Sequence, residues 1–153
     1  MSGTGPHRFE MDAWISCAPF EKFLSMQIVR ASRGEAVLTM PFTKELAQGA
    51  GLMHGGALVS LADTAVVMAI KSMVAPGTYF ATISLESRFL YPVKKGIVTA
   101  RAGVEKKEDR LLQGHAVLYD EEQHEILRFS SQFKIARDAR IQGVTFKQDA
   151  SGR

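Results

Sequence analysis

A single cysteine, Cys17, in a chain of 153 residues leaves no partner for an internal disulfide, and fits a reducing compartment. With no fixed local partner in WISCAP, it reads as a packed, inert thiol rather than a nucleophile. No uncharged apolar run reaches ~18 residues, so no membrane span is expected. The polar opening MSGTGPHRFEMD lacks the apolar run of a signal peptide, and the expectation is a cytoplasmic protein. A dense basic stripe is missing as well. The 19 basic and 16 acidic residues are spread along the chain for a net charge of +3, which speaks against a nucleic-acid partner. That mild basicity still favours an anionic ligand.

Several catalytic signatures are also missing. Without a G-x-S-x-G elbow, an α/β-hydrolase is excluded. His7, His54, His115 and His124 show neither H-E-x-x-H nor Cys/His ligand spacing, so no metal is expected. The glycines near His54 form neither a G-x-x-x-x-G-K-[ST] loop nor a dinucleotide fingerprint, and no cofactor is expected either.

What remains is an ordinary soluble composition, 46% apolar and 23% charged, on a length that suits one domain. Residues 1–10, rich in Gly, Ser, Thr and Pro, read as a disordered N-terminus; residues 11–137 as the folded domain; residues 138–153 as a polar C-terminal tail that frays. Residues 11–26 carry apolar side chains at roughly helical spacing, with Pro19 dividing them into a short helix or two turns. Residues 27–42 alternate around Gly34 as a hairpin-like pair of strands. A loop follows, and then the longest helical candidate, residues 55–74, stopped by Pro76-Gly77. Four strands come next, over 78–91, 97–107, 111–120 and 125–136, separated by turn chemistry and read as a meander. Gly114 within the third marks a bulge or a close backbone contact. This order is α+β: an antiparallel sheet curled around one helix that is apolar nearly all round.

Within that helix, residues 55–70 hold one charge, Asp63. A carboxylate in apolar surroundings costs several kcal/mol unless paired, hydrated or neutralised. Asp63 therefore either accepts local hydrogen bonds as a structural group, or faces a cleft as a base or nucleophile. The preceding His54-Gly55-Gly56 favours the cleft. Glycines let a substrate approach the backbone, and the first helical turn offers unpaired N–H groups and partial positive charge to a developing oxyanion. Nine residues separate His54 from Asp63, about 900° of rotation and ~13.5 Å of rise. The two lie on opposite sides of the helix, so joint action on one atom needs a second chain, most simply a two-fold-related copy. The long strand over 78–91 is a candidate for joining the two sheets.

At these residues the chain resembles the hotdog-fold acyl-CoA thioesterases, the 4-hydroxybenzoyl-CoA thioesterase superfamily and its phenylacetate-pathway branch. The likeness spans roughly residues 20–136. Its core is HGGALVSLADTA, supported by TISLESRFLYPVKKG with its T-x-x-L-x-x-x-F-L-x-P pattern. The resemblance implies a hotdog fold: a curved antiparallel sheet around one long helix. It implies that Asp63 attacks an acyl-CoA thioester or activates a water, and that the Gly55 N–H polarises the carbonyl. Gln48 matches an Asn/Gln contacting the carbonyl or the water, His54 supports that loop and the leaving thiolate, and Thr82 matches a hydroxyl that positions water. Gly56 belongs to the substrate-binding turn. The resemblance further implies a homodimer with shared active sites, assembled into a tetramer. Coenzyme A phosphates make Arg88, Lys94, Lys95, Lys106, Lys107, Arg110 and Arg128 candidate contacts, of which Arg88 and Arg128 are carried forward as substrate-binding residues. The expected substrate is an aryl- or medium-chain acyl-CoA. Two alternatives stand beside it: a hotdog acyl-thioester hydratase or dehydratase, and a non-catalytic acyl-CoA binding protein.

Overall fold

The computed structural model describes residues 3–140 and 142–147. Its centre is helix α2, Gly55–Lys71, in which nine residues, from Ala57 to Ile70, are buried. Around it curls a six-stranded sheet built from β2 (Gln27–Ser32), β3 (Glu35–Pro41), β4 (Thr78–Phe89), β5 (Ile97–Glu108), β6 (Leu111–Tyr119) and β7 (Glu125–Arg140). Ala, Leu, Val and Met on α2 meet Leu38, Met40, Val98, Ala100, Leu118, Leu127 and Phe133 of the sheet in one continuous core. The α+β curved-sheet architecture is the expected one.

The hairpin joining β2 and β3 turns on Arg33 and Gly34, both at positive φ (52° and 80°). A two-residue loop of that hand matches the twist of the flanking strands. Within residues 11–26 the helix is short, as Pro19 implied: α1 covers Pro19–Phe23. Proline opens it, where its missing N–H costs nothing, and the Glu21 carboxylate accepts from the Ala18 N–H at 3.1 Å.

The meander expected of the last four strands is only partly formed. Strands β5, β6 and β7 are consecutive neighbours, but β4 pairs with β7 at the far edge, giving the order β2-β3-β5-β6-β7-β4. Residues 90–96 carry the chain back across the sheet. Seven residues reach at most ~23 Å extended, which exceeds three strand spacings of ~4.8 Å, so a curled sheet allows the crossing. The sequence pattern of β4 and β5 is silent on this, because adjacency along the chain and adjacency in a sheet are independent.

Pairing also reaches both ends of the described chain. Strand β1, Phe9–Met11, runs parallel to β8, Val144–Phe146, and so lies partly in the stretch read as disordered, while β8 lies in the stretch read as a tail. Trp14 packs edge-on to Phe146 and anchors this pair to α2: its indole N–H donates to the Lys71 carbonyl at 3.0 Å, and Lys71 Nζ donates to the Trp14 carbonyl at 3.1 Å. Few apolar residues in polar surroundings gave composition no reason to predict strands there.

Candidate active site

Helix α2 begins at His54, whose extended backbone (φ −63°, ψ 132°) makes it the N-cap. Its Nδ1 accepts the Gly56 N–H at 2.8 Å, so the neutral ring carries its proton on Nε2. The His54 carbonyl accepts from Ala57 and Leu58, and its own N–H donates to the Leu46 carbonyl at 2.7 Å. The Gly56 N–H is thus spent on the cap. The Gly55 N–H has no acceptor among the described residues. Of the two glycines, Gly55 is the one free to donate.

An open groove of ≈ 340 Å³ lies against that N–H. Gln48 borders it, along with Leu52, Met53, Leu58 and residues 89–93. The loop is folded on itself: the Gln48 N–H donates to Leu52, its carbonyl accepts from Gly51, and its side-chain oxygen accepts from the Ala50 N–H. That leaves the Gln48 amide NH2 as the donor end of the side chain. Gln48, His54 and Gly55 therefore form one half of a candidate site, an apolar groove with a small number of convergent N–H donors.

Asp63 lies eight residues further along α2, about 12 Å of rise. Half-buried, it accepts a hydrogen bond from the Thr82 hydroxyl on β4, 3.1 Å to one carboxylate oxygen and 3.4 Å to the other. Burial pushes its pKa above the ordinary aspartate value, and the Thr82 bond draws it partly back. Desolvation penalises the charged form, whereas a donor on the carboxylate favours it. This is the second half: a carboxylate with raised basicity, held by one hydroxyl. Within one chain the two halves are not brought onto one reacting atom.

Thr82 can reach the helix because of its place in β4. Opposite it on β7 stands buried Phe133, so Thr82 is on the helix-facing side. A bulge at Ile83 follows, after which Leu85, Ser87 and Phe89 face inward opposite Ser131, Phe129 and Leu127. Helix α2 packs chiefly on β3, β5 and β6, leaving this end of β4 uncovered. Leu85 and Phe89 are accordingly 47% and 55% exposed although they point to the core side.

Arg88 and Arg128 are placed elsewhere. They stand opposite each other on the outer face of the β4–β7 ladder, and Arg128 is paired with Glu125 at 2.8 Å. Lys94 and Lys95 border a separate hollow shared with Asp120, Glu121, Glu122 and His124. Arg110 donates to the Ile135 carbonyl at 3.1 Å, and Lys107 lies 3.7 Å from Glu105. None of these cations borders the groove beside Gly55, and the side-chain partner of Asp63 is Thr82 instead. Among the described residues no group of three or more His, Cys, Asp or Glu could hold a metal ion, and no helix is long and apolar enough to cross a membrane.

The groove wall formed by Phe89, Leu90, Pro92 and Val93 was not singled out by sequence reasoning as part of the site. The F-L-x-P run was its signal, since Pro92 ends the strand where the chain turns back past the helix N-terminus.

A curved sheet around an apolar helix, with a free N–H at the helix start and a half-buried carboxylate further along, has the architecture of a hotdog protein. The model of the thioesterase superfamily matches residues 50–127, and the chain belongs to that superfamily. It is similar to a protein of Pasteurella multocida named as an esterase, 39% identical over 64 residues, 42% of this chain and 46% of the relative. It is also similar to the 1,4-dihydroxy-2-naphthoyl-CoA hydrolase of Listeria monocytogenes, 27% identical over 82 residues, 54% of this chain and 67% of that one. The matches span between 46% and 80% of the length of the curated relatives, 46% and 61% for two of them. Among solved structures, the E. coli PaaI protein from the phenylacetic acid degradation operon superposes with a TM-score of 0.71 at 28% identity, covering 84% of this chain and 88% of that one. A conserved Pseudomonas aeruginosa protein superposes with a TM-score of 0.75 at 22% identity, covering 80% and 97%, and shares the fold.

Proposed function

We propose that this chain is an acyl-CoA thioesterase that hydrolyses an aryl- or medium-chain acyl-CoA to the free acid and coenzyme A. The observation that carries the reading is the pairing, on one helix, of an N–H without an acceptor at Gly55 and a half-buried carboxylate at Asp63. The names of the Listeria hydrolase and of the PaaI protein support a thioester substrate and an aromatic acyl group.

In this reading the thioester oxygen accepts from the Gly55 N–H, assisted by the Gln48 amide. Asp63 of a second copy approaches the carbonyl carbon, as nucleophile or by taking a proton from an attacking water. The C–S bond then breaks and the thiolate of coenzyme A leaves; where Asp63 is the nucleophile, water then cleaves the acyl–Asp63 anhydride, releasing the acid and restoring the carboxylate. A thioester is already activated, so one oxyanion donor and one carboxylate meet the chemical need; such a donor is typically worth ~2.7–4 kcal/mol. The partner is a second copy because a rise of about 12 Å on one rigid helix cannot be closed by side-chain rotation. Two exposed apolar side chains of β4, Tyr79 and Ile83, lie on the strand whose outer edge is unpaired, which suits a sheet continued into a homodimer, with the tetramer built from two such dimers. The histidine nearest the site, His54, has Nδ1 committed to the cap, which disfavours the proton shuttling a hydratase needs.

Release of free thiol from a panel of acyl-CoA esters tests the activity. Asp63→Asn is expected to abolish turnover, at least ~10³-fold, while keeping the fold and assembly state. Undiminished hydrolysis by Asp63→Asn on the best substrate would assign the carboxylate a structural role. Binding without turnover by the native chain would leave the acyl-CoA binding protein.

A further inference from the structure

Of the T-x-x-L-x-x-x-F-L-x-P pattern in β4, the chemistry above uses Thr82 alone, and Phe89 is unaccounted for. Phe89 points to the core side of the sheet yet is 55% exposed, an unusual state for an inward-facing aromatic ring. Its ring atoms Cε1 and Cζ lie 3.2 Å from where a side chain on Gly55 would begin. The backbone behind it is fixed, since the Leu90 and Tyr91 N–H groups both donate to the Ile126 carbonyl, at 2.8 and 3.4 Å. The ring is therefore a half-free wall in contact with the residue that carries the open N–H.

An oxygen bonded to that N–H sits ~2.9 Å from the nitrogen, and the carbonyl carbon a further ~1.23 Å away. The first carbon of the acyl group then falls within reach of the Phe89 ring. The rest of the groove, from Leu52, Met53 and Leu58 to Leu90 and Val93, is apolar and suits an acyl chain better than the amides of pantetheine. We propose that Phe89 is the specificity-determining residue of this site: its ring flanks the acyl α carbon beside the Gly55 N–H and rejects acyl groups branched there. The inference rests on the thioesterase reading and names the acyl class, straight or flat at the α carbon.

The test compares kcat/KM for hexanoyl-CoA and 2-methylhexanoyl-CoA in the native protein, Phe89→Leu and Phe89→Ala. The native protein is expected to prefer the unbranched ester by on the order of tenfold or more, the usual value of one methyl group at an apolar subsite. Phe89→Ala should bring the ratio close to one by raising kcat/KM for the branched ester, with Phe89→Leu between. An unchanged ratio overturns the proposal. So does an equal loss on both esters together with a monomer in sedimentation, which makes Phe89 an interface residue instead. If the native chain hydrolyses neither these esters nor any other acyl-CoA of the panel, aryl esters included, the thioesterase reading fails by itself. The Phe89 assignment is then read from the affinities of the matching straight and branched acyl-CoA thioethers, where an equal preference in native protein and Phe89→Ala overturns it.

Discussion

At Asp63 two effects oppose each other. Burial raises the pKa, and the Thr82 hydroxyl lowers it by favouring the carboxylate. Hydrolysis needs the ionised form, so kcat/KM should climb as pH rises through a value above that of ordinary aspartate. Thr82→Val removes the lowering contribution and should move this acid limb to still higher pH, whereas Thr82→Ser should leave it in place. A pH profile unchanged by Thr82→Val would separate the hydroxyl from the reacting carboxylate.

The same shift has a consequence for stability. Because the folded-state pKa is raised, the native chain holds the Asp63 proton more tightly than the unfolded chain does. Ionisation therefore brings no penalty below the unfolded value of ~3.9, and a growing one as pH rises through the folded pKa. Asp63→Asn, already neutral, should melt higher than the native protein at pH 7. The gap should close in melting curves recorded below that unfolded value. A lower Tm for Asp63→Asn at pH 7 would contradict the linkage.

At the scale of elements, the seam between α2 and the sheet depends on a few small residues. Gly114 in β6 sits directly under Val66 of α2, and a side chain there would overlap Val66 and stand 2.7 Å from the Ser131 hydroxyl. Strand pairing runs unbroken through this position, so the glycine serves the close approach of the helix and no bulge occurs. Gly114→Ala is expected to cost about 1–3 kcal/mol of unfolding free energy through overpacking, measured by urea denaturation. Preserved stability would mean the helix shifts freely on the sheet. Such glycines were legible as interruptions of a strand pattern. Whether the cause was a bulge or a contact was not, because a single sequence shows spacing but not what lies opposite.

Helix α2 ends at Lys71, three residues short of the expected Val74 and before the proline-glycine stop, but its apolar run and its start at Gly55 were readable. The β4–β7 pairing was not. It joins residues up to 62 positions apart, Thr78 with Arg140, and no local pattern specifies which strand an edge accepts. The bulge at Ile83 was equally hidden, though it decides that Leu85, Ser87 and Phe89, rather than their neighbours, face inward.

At the scale of the whole molecule, the decisive question is whether Gly55 and Asp63 meet across two copies. Two inactive variants offer a direct test. Asp63→Asn spoils one half of every site and His54→Ala, which removes the cap, the other. Mixed dimers would contain one site built from two undamaged halves. Co-refolding the two variants should restore turnover to roughly a quarter of the native level, from statistical pairing of two-fold assemblies. No gain on mixing would place both halves of each site within one chain, against the spacing on α2.

The sequence by itself determined the α+β class, the apolar helix, and which residues are candidates for the chemistry, because each is written in local periodicity or in a short run such as HGGALVSLAD. Tertiary structure gave the physical reason why Gly55, the donor the resemblance implied, is free, since the His54 ring consumes the Gly56 N–H and leaves that of Gly55. It also decided that Thr82 is the carboxylate's partner and that Phe89 walls the groove, by folding a strand 19 residues beyond Asp63 back along the helix. Local signals fix elements because they depend on neighbours along the chain. A site is fixed by neighbours in space, and those are set only when the sheet closes on its helix.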